Sequence, residues 1–578
     1  MLDRLILNAT IVDGTGAPRR VGSVGIKDGA IAAVFAEDAE VPSDAAEVID
    51  ATGLVLTPGF IDPHTHYDAQ LMWDPAASPS NLHGITTIIA GNCGFTLAPL
   101  KAEDADYTRR MMAKVEGMPL KALEEGVLWN WSTFGEYLDR LDGKIAVNAG
   151  FLVGHCALRR HVMGAEAVGN EATPEQLEAM IEVLRTSIEA GGMGFSTTLS
   201  RTHSDGDGQP VASRWASRDE LMAFAKVVSE YEGTTLEYAS DGCLDGFTED
   251  DIQFMIDFSL TGQRPLNWNV LTVDSNAPER YRTQLEAMDR CREAGAKVVA
   301  LTMPILVGMN MSFLNFCGLN LLPDWNSVLG LPLPERMAKL ADPEVRAFLL
   351  ERAASPEAGV FARLAGWDGY VIGQTYSAAN EGLRGKTAAQ IGAERGISPF
   401  DALIEVVLAD DCRTVLWPGP TDDDELSWQM RAEAWEHPSV IIGGSDAGAH
   451  LDRMAGPAYT TQWIGDCLRG RKLTTLERAV QHLTEAPAKL FGLTDRGYVR
   501  EGYAADLVLF DPETVGAGKI ELIEDLPGGT ARLVPEAKGV KRVIVAGQDI
   551  VVDGVATDAT PGRIMRSGVH TITVPLNG

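Results

Sequence analysis

Positive charge is what this chain most lacks. Its 49 lysines and arginines face 81 aspartates and glutamates, a formal charge of −32 at pH 7. Such a surface repels polyanions, which argues against nucleic acid or an anionic membrane as partner. Long apolar runs are missing too: none reaches the ~18 residues that span a bilayer. Cysteine is sparse. Cys93, Cys156, Cys243, Cys291, Cys317, Cys412 and Cys467 are seven in number, scattered, and never spaced Cys-x-x-Cys. That argues against a disulfide framework and for a reducing, cytoplasmic setting. Met1-Leu2-Asp3-Arg4-Leu5 shows no basic stretch leading into an apolar segment, so no secretory leader is expected. Internal repeats and low-complexity tracts are also absent.

What is present is a chain of 578 residues with β-rich ends and an alternating middle. Leu5-Ile6-Leu7, Val24-Gly25-Ile26 and Ile31-Ala32-Ala33-Val34 read as short strands, with Lys27-Asp28-Gly29 as a hairpin turn. Asp506–Phe510, Val540–Val545 and Ile550–Gly554 mirror them at the other end. Both ends together suggest one small β-sandwich, from residues 1–56 and 496–578. Between them, residues 57–495 alternate apolar strand-like runs with helical stretches such as Pro174–Glu189, Ser217–Glu232 and Pro399–Ala409. Ile85–Ala90, Ala146–Val153, Thr234–Tyr238, Leu266–Val270, Lys297–Thr302, Tyr370–Gly373 and Ser439–Gly443 are the strand candidates. The expected fold class is therefore α/β, a parallel (β/α)8 TIM-like barrel carrying the β-sandwich. One stretch breaks the rhythm. Residues 303–350 gather Met303, Met309, Met311, Phe313, Phe316 and Trp325 among Pro, Asn and Gly. Three readings stay open for this insertion: a substrate pocket at the barrel mouth, plain packing on the barrel, or a contact in a homo-oligomer.

The most informative segment is Gly59-Phe60-Ile61-Asp62-Pro63-His64-Thr65-His66. It follows the apolar run Val55–Pro58, so a strand ends in a His-x-His pair. Residues i and i+2 of a strand point to one side, which aims both imidazoles at one space. Two neutral imidazoles converging in this way begin a zinc-type site.

This segment resembles the first-strand metal motif of the amidohydrolase superfamily. Gly91-Asn92-Cys93-Gly94-Phe95, Val153-Gly154-His155 with Leu158-Arg159, Gly194-Phe195-Ser196-Thr197 and Gly444-Ser445-Asp446-Ala447 are similar to its N-acyl-D-amino-acid deacylase branch. The resemblance implies a metal centre, of one or two zinc or other divalent ions, at the C-terminal mouth of the barrel. His64, His66 and Cys93 are its implied ligands, with Asp446 as ligand and general base. His155 would orient or polarise the scissile carbonyl, and Arg159 and Arg201 would meet an acid group of the substrate. The pattern also departs from the branch. Where histidines are expected on the fifth and sixth strands, this chain has Glu237 and Asn267-Trp268-Asn269. The usual Cys-His-His set cannot form, and Glu237 is the candidate replacement. His450, four residues beyond Asp446, is a candidate neighbour of the metal. His83, His161, His437, His482 and His570 have no such context.

The implied activity is metal-dependent hydrolysis of a non-peptide amide by a metal-bound hydroxide, with an N-acyl-D-amino acid or related N-acyl compound as the small-molecule substrate. A cyclic amide, carbamate or lactone suits the same chemistry. A non-catalytic scaffold is the rival from another class.

Overall fold

The computed structural model describes residues 1–315 and 317–577, and Phe316 lies outside the described residues. The chain divides into two compact units. One comprises Met1–Ile305, Leu426–Leu451 and Ala455–Gly578, and the other Leu306–Glu425 with Asp452–Met454.

The first unit contains the parallel strands: β1 (Phe60–Asp62), β2 (Ile85–Ala90), β3 (Asn148–Phe151, continued by Val153–Gly154), β4 (Gly194–Thr198), β5 (Thr235–Ala239), β6 (Leu266–Trp268), β7 (Val298–Thr302) and β8 (Val440–Ile442). Each pairs in parallel with the next in that order. A parallel bridge from Thr65 to Ala447 joins the segments after β1 and β8. The expected barrel order is thus present. All of β2 is buried, as its β-branched run requires. β4 and β5 approach so closely that a Cβ on Gly194 would lie 1.9 Å from the Thr235 carbonyl oxygen. Helices start where the sequence signals them: Thr173 and Gln176 form a capping box before Pro174–Glu189, and Ser217 caps Arg218–Val228. Inward residues Ile61, Ile89, Leu152, Val299 and Leu301 pack against Leu490, Phe491 and Met565.

Both chain ends join one nine-stranded sheet. At its centre Val55–Pro58 lies between Leu2–Ile11, parallel, and Leu507–Phe510, antiparallel. Ala505 N–H, just before Leu507–Phe510, donates to the Gly29 carbonyl, and Gly547 N–H to that of Ala505, which ties the two chain ends together. Asp28 and Gly29 both take positive φ, as the expected Asp-Gly turn demands.

The second unit corrects the expected insertion. It extends far past residue 350, and its apolar residues form a core of their own. Met311, Phe313, Trp325, Leu329, Tyr370 and Phe400 are all buried there. Val371–Ile372 pairs antiparallel with Leu416–Trp417, so the Tyr370–Gly373 run is not a barrel strand. No described helix in the chain is long and apolar enough to cross a membrane.

Candidate metal centre

Three side chains meet beyond the ends of β1 and β2. The candidate ligand atoms of His64, His66 and Cys93 all lie within 4.8 Å of one another, and all three residues are buried. Cys93 Sγ is 3.6 Å from His64 Nε2. Asp446, from the segment after β8, places Oδ1 3.3 Å from His64 Nε2 and 3.7 Å from His66 Nε2. Its side chain remains 29% exposed whereas the histidines are sealed off, so Asp446 faces the way in.

The local backbone holds this arrangement open. Cys93 and Asp446 adopt φ of +54° and +53°, and His450 +49°, values that non-glycine residues reach at a cost of about 1–3 kcal/mol each. Asp62 binds the loop after β8 to β1. Its carboxylate accepts from the Ser445 hydroxyl and from the amides of Gly444 and His64. Burial nevertheless pushes its pKa up to about 6. Glu237, on β5, accepts from the Cys93 amide at 2.8 Å, and its other oxygen is buried without a partner. Burial raises its pKa to about 7. At the end of β6, Asn269 brings Nδ2 to 3.3 Å from His64 Nε2.

The electrostatics are those of a site built for a cation. Burial, reinforced by the charges of Glu237, Glu116 and Asp446, holds the Cys93 thiol well above its ordinary pKa. Burial, with His64 as charged neighbour, drops His66 to about 3. Burial acts on His64 in the same sense but is outweighed by the hydrogen bond and charge of Asp446, so its pKa is raised. The Asp446 carboxyl resists burial through the same His64 contact and stays well below the usual range. The donor geometry fits a metal. An ion bonded tetrahedrally at about 2.0–2.1 Å to nitrogen or oxygen and about 2.3 Å to sulfur separates its ligands by about 3.3–3.6 Å. The His64–Asp446 and His64–Cys93 separations lie in that range. Nδ1 of His64 and of His66 are both buried and unpaired, which leaves the Nε2 atoms as the converging pair.

Other expected site residues lie elsewhere. His155 and Arg159 are both engaged with Glu220. His155 is buried between Phe195 and Phe224, with Nδ1 on the Thr197 hydroxyl and Nε2 2.7 Å from Glu220. Both ring nitrogens are thus engaged. Arg159, equally buried, gives Nη1 to both Glu220 oxygens and Nη2 to the carbonyls of Asn170 and Ala167. Arg201 is 46% exposed and engaged with Asp241 and Asp245 at the surface, which leaves its substrate-binding role without structural support.

Three further residues close to the centre were not singled out in the sequence. His203 donates to or accepts from the Thr198 hydroxyl at 2.7 Å, and burial lowers its pKa to about 4, against the pull of the Asp446 charge. Asp68 keeps one buried oxygen unpaired, and burial raises it to about 7. Glu116 sets Oε2 3.6 Å from His66 Nε2. The His-x-His spacing offered a signal for Asp68, two residues further on. Nothing local marked the other two.

The N-acyl-D-aspartate deacylase of Alcaligenes xylosoxydans xylosoxydans is 29% identical over 574 residues, covering 98% of this chain and 95% of that protein. A crystal structure of D-aminoacylase superposes with a TM-score of 0.63 at 25% identity, over 98% of this chain and all of the other. The N-acyl-D-glutamate deacylase of Bordetella bronchiseptica, crystallised with zinc and a phosphonate mimic of the tetrahedral intermediate, gives 0.63 at 26% identity, with 98% and 100% covered. The amidohydrolase family model matches residues 47–551, and the chain belongs to that family.

Proposed function

We propose that this protein is a metal-dependent amide hydrolase that deacylates an N-acyl-D-amino acid or a closely related N-acyl compound. The observation that carries the reading is the placement of Asp446. Its carboxylate lies within 3.3–3.7 Å of both histidines and is the part of the group open to solvent. His64, His66, Cys93 and Asp446 would hold the ion, with Glu237 behind Cys93. A zinc-type ion bound there would lower the pKa of a water toward ~7 and act as a Lewis acid for the carbonyl. Asp446 accepts the proton from the attacking water and returns it to the leaving nitrogen. Its positive φ and the Asp62–Ser445 contact fix the direction of that carboxylate. The buried imidazoles keep bulk water from the inner side. The resemblance to deacylases of N-acyl-D-aspartate and N-acyl-D-glutamate supports the substrate class.

The test is hydrolysis of a panel of N-acetyl-D- and N-acetyl-L-amino acids, hydantoins and lactones by zinc-loaded protein. N-acyl-D-amino acids should turn over fastest. Asp446→Asn should retain zinc while kcat falls about 10²–10⁴-fold. Failure of the wild-type protein to bind zinc, or turnover of cyclic amides or lactones alone, would overturn the reading.

A further inference from the structure

Glu116 occupies a place that carboxylates ordinarily avoid. It caps the C-terminal end of the helix Ala105–Val115, its amide donating to the Met112 carbonyl, where the helix dipole opposes negative charge. It is 4% exposed. Among the described residues no lysine or arginine pairs with it, and the charges acting on it come from Asp446, Asp68 and Glu237. Its recorded side-chain partner is His66 Nε2, at 3.6 Å, close to the 3.7 Å between that nitrogen and Asp446. The backbone holds it there: the His450 amide, just beyond Asp446, donates to the Glu116 carbonyl. A carboxylate oxygen 3.6 Å from His66 Nε2 stands at the spacing that two ligands of one ion adopt.

We infer that Glu116 is a metal ligand which this chain adds to the His64–His66–Cys93–Asp446 set, on the His66 side. This rests on the metal-centre reading above. It accounts for a site that retains its imidazole pair on β1 while β5 and β6 carry no histidine. A carboxylate from the segment after β2 restores ligand number next to His66. With the Cys93 thiolate and Asp446 it brings three negative charges to a divalent ion, a strongly anionic set of mixed soft and hard donors beside the two imidazoles.

Zinc affinity, measured by competition with a chromophoric chelator, reads the inference without recourse to activity. Glu116→Gln preserves shape and removes the charge, and is expected to weaken zinc binding at least about tenfold. Glu116→Asp, which keeps the charge on a shorter arm, should recover part of that loss. Glu116→Asp also carries the test if the Gln variant does not fold: weakened binding supports the ligand role and unchanged binding overturns it. Unchanged zinc affinity in a folded Glu116→Gln protein overturns the inference and leaves the metal centre intact. Absence of zinc binding by the wild-type protein sinks both.

Discussion

Removing the Glu220 carboxylate should cost this protein more than removing any surface ion pair. Glu220 is 1% exposed and serves two buried partners at once, His155 Nε2 at 2.7 Å and Arg159 Nη1 at 2.6 and 2.7 Å. In Glu220→Gln the guanidinium keeps only neutral acceptors, the amide oxygen of the new side chain and the carbonyls of Asn170 and Ala167. An uncompensated buried cation costs about 3–5 kcal/mol. The surface pair Arg218–Asp250, whose acid is 81% exposed, contributes at most about 1 kcal/mol. Urea unfolding of the metal-loaded protein should show this contrast between Glu220→Gln and Asp250→Asn. The double variant Arg159→Met/Glu220→Gln should recover much of the loss, because no charge is then stranded. Arg159→Met alone should leave KM unchanged, since Arg159 faces Glu220. A Glu220→Gln protein within 1 kcal/mol of wild type would refute the reasoning, as would an Arg159→Met protein of normal stability but greatly raised KM.

Two further outcomes follow from the structure. Burial opposes ionisation of Glu220, but His155 and Arg159 hold its pKa below the ordinary carboxylate value, so its contribution is complete above that value and lost as pH falls through the folded-state pKa. The stability gap between wild type and Glu220→Gln should therefore be constant near neutrality and narrow below about pH 4, as followed by urea midpoints across pH. In the second unit, Trp325 is fully buried, stacks on Trp367 and donates to the Leu349 carbonyl. Trp325→Ala should destabilise that unit by about 3–5 kcal/mol, visible as faster hydrogen exchange in residues 306–425 with exchange in β1–β8 unchanged.

The parts of the site that could be read in advance sit in short segments at strand ends. His64 and His66 declare themselves by spacing, and Cys93 and Asp446 by the motifs that resemble the family's. Glu116 and His203 carried no such mark. One is an acid among 81, at the end of an ordinary helix, and gains meaning only from the fold around it. The expectation for His155 and Arg159 rests on resemblance alone, and the structure engages both with Glu220. Their partner Glu220 comes from a helix 61 residues past Arg159, and that pairing has no local signature. The second unit was under-read for a related reason. A short apolar run such as Tyr370–Gly373 looks the same in a parallel barrel as in a two-residue antiparallel ladder.

The sheet formed from both chain ends imposes an order on biosynthesis. Thr57 pairs with Val508, so a strand made early waits for a partner made near the end. At 5–20 residues per second, that wait is on the order of 20–90 s. Throughout it, Val55–Pro58 presents an open edge beside the finished Leu2–Ile11 strand, a template for pairing with another nascent chain. Ribosome spacing and chaperone occupancy at that edge should therefore govern the yield of active protein more than any single contact in the finished molecule.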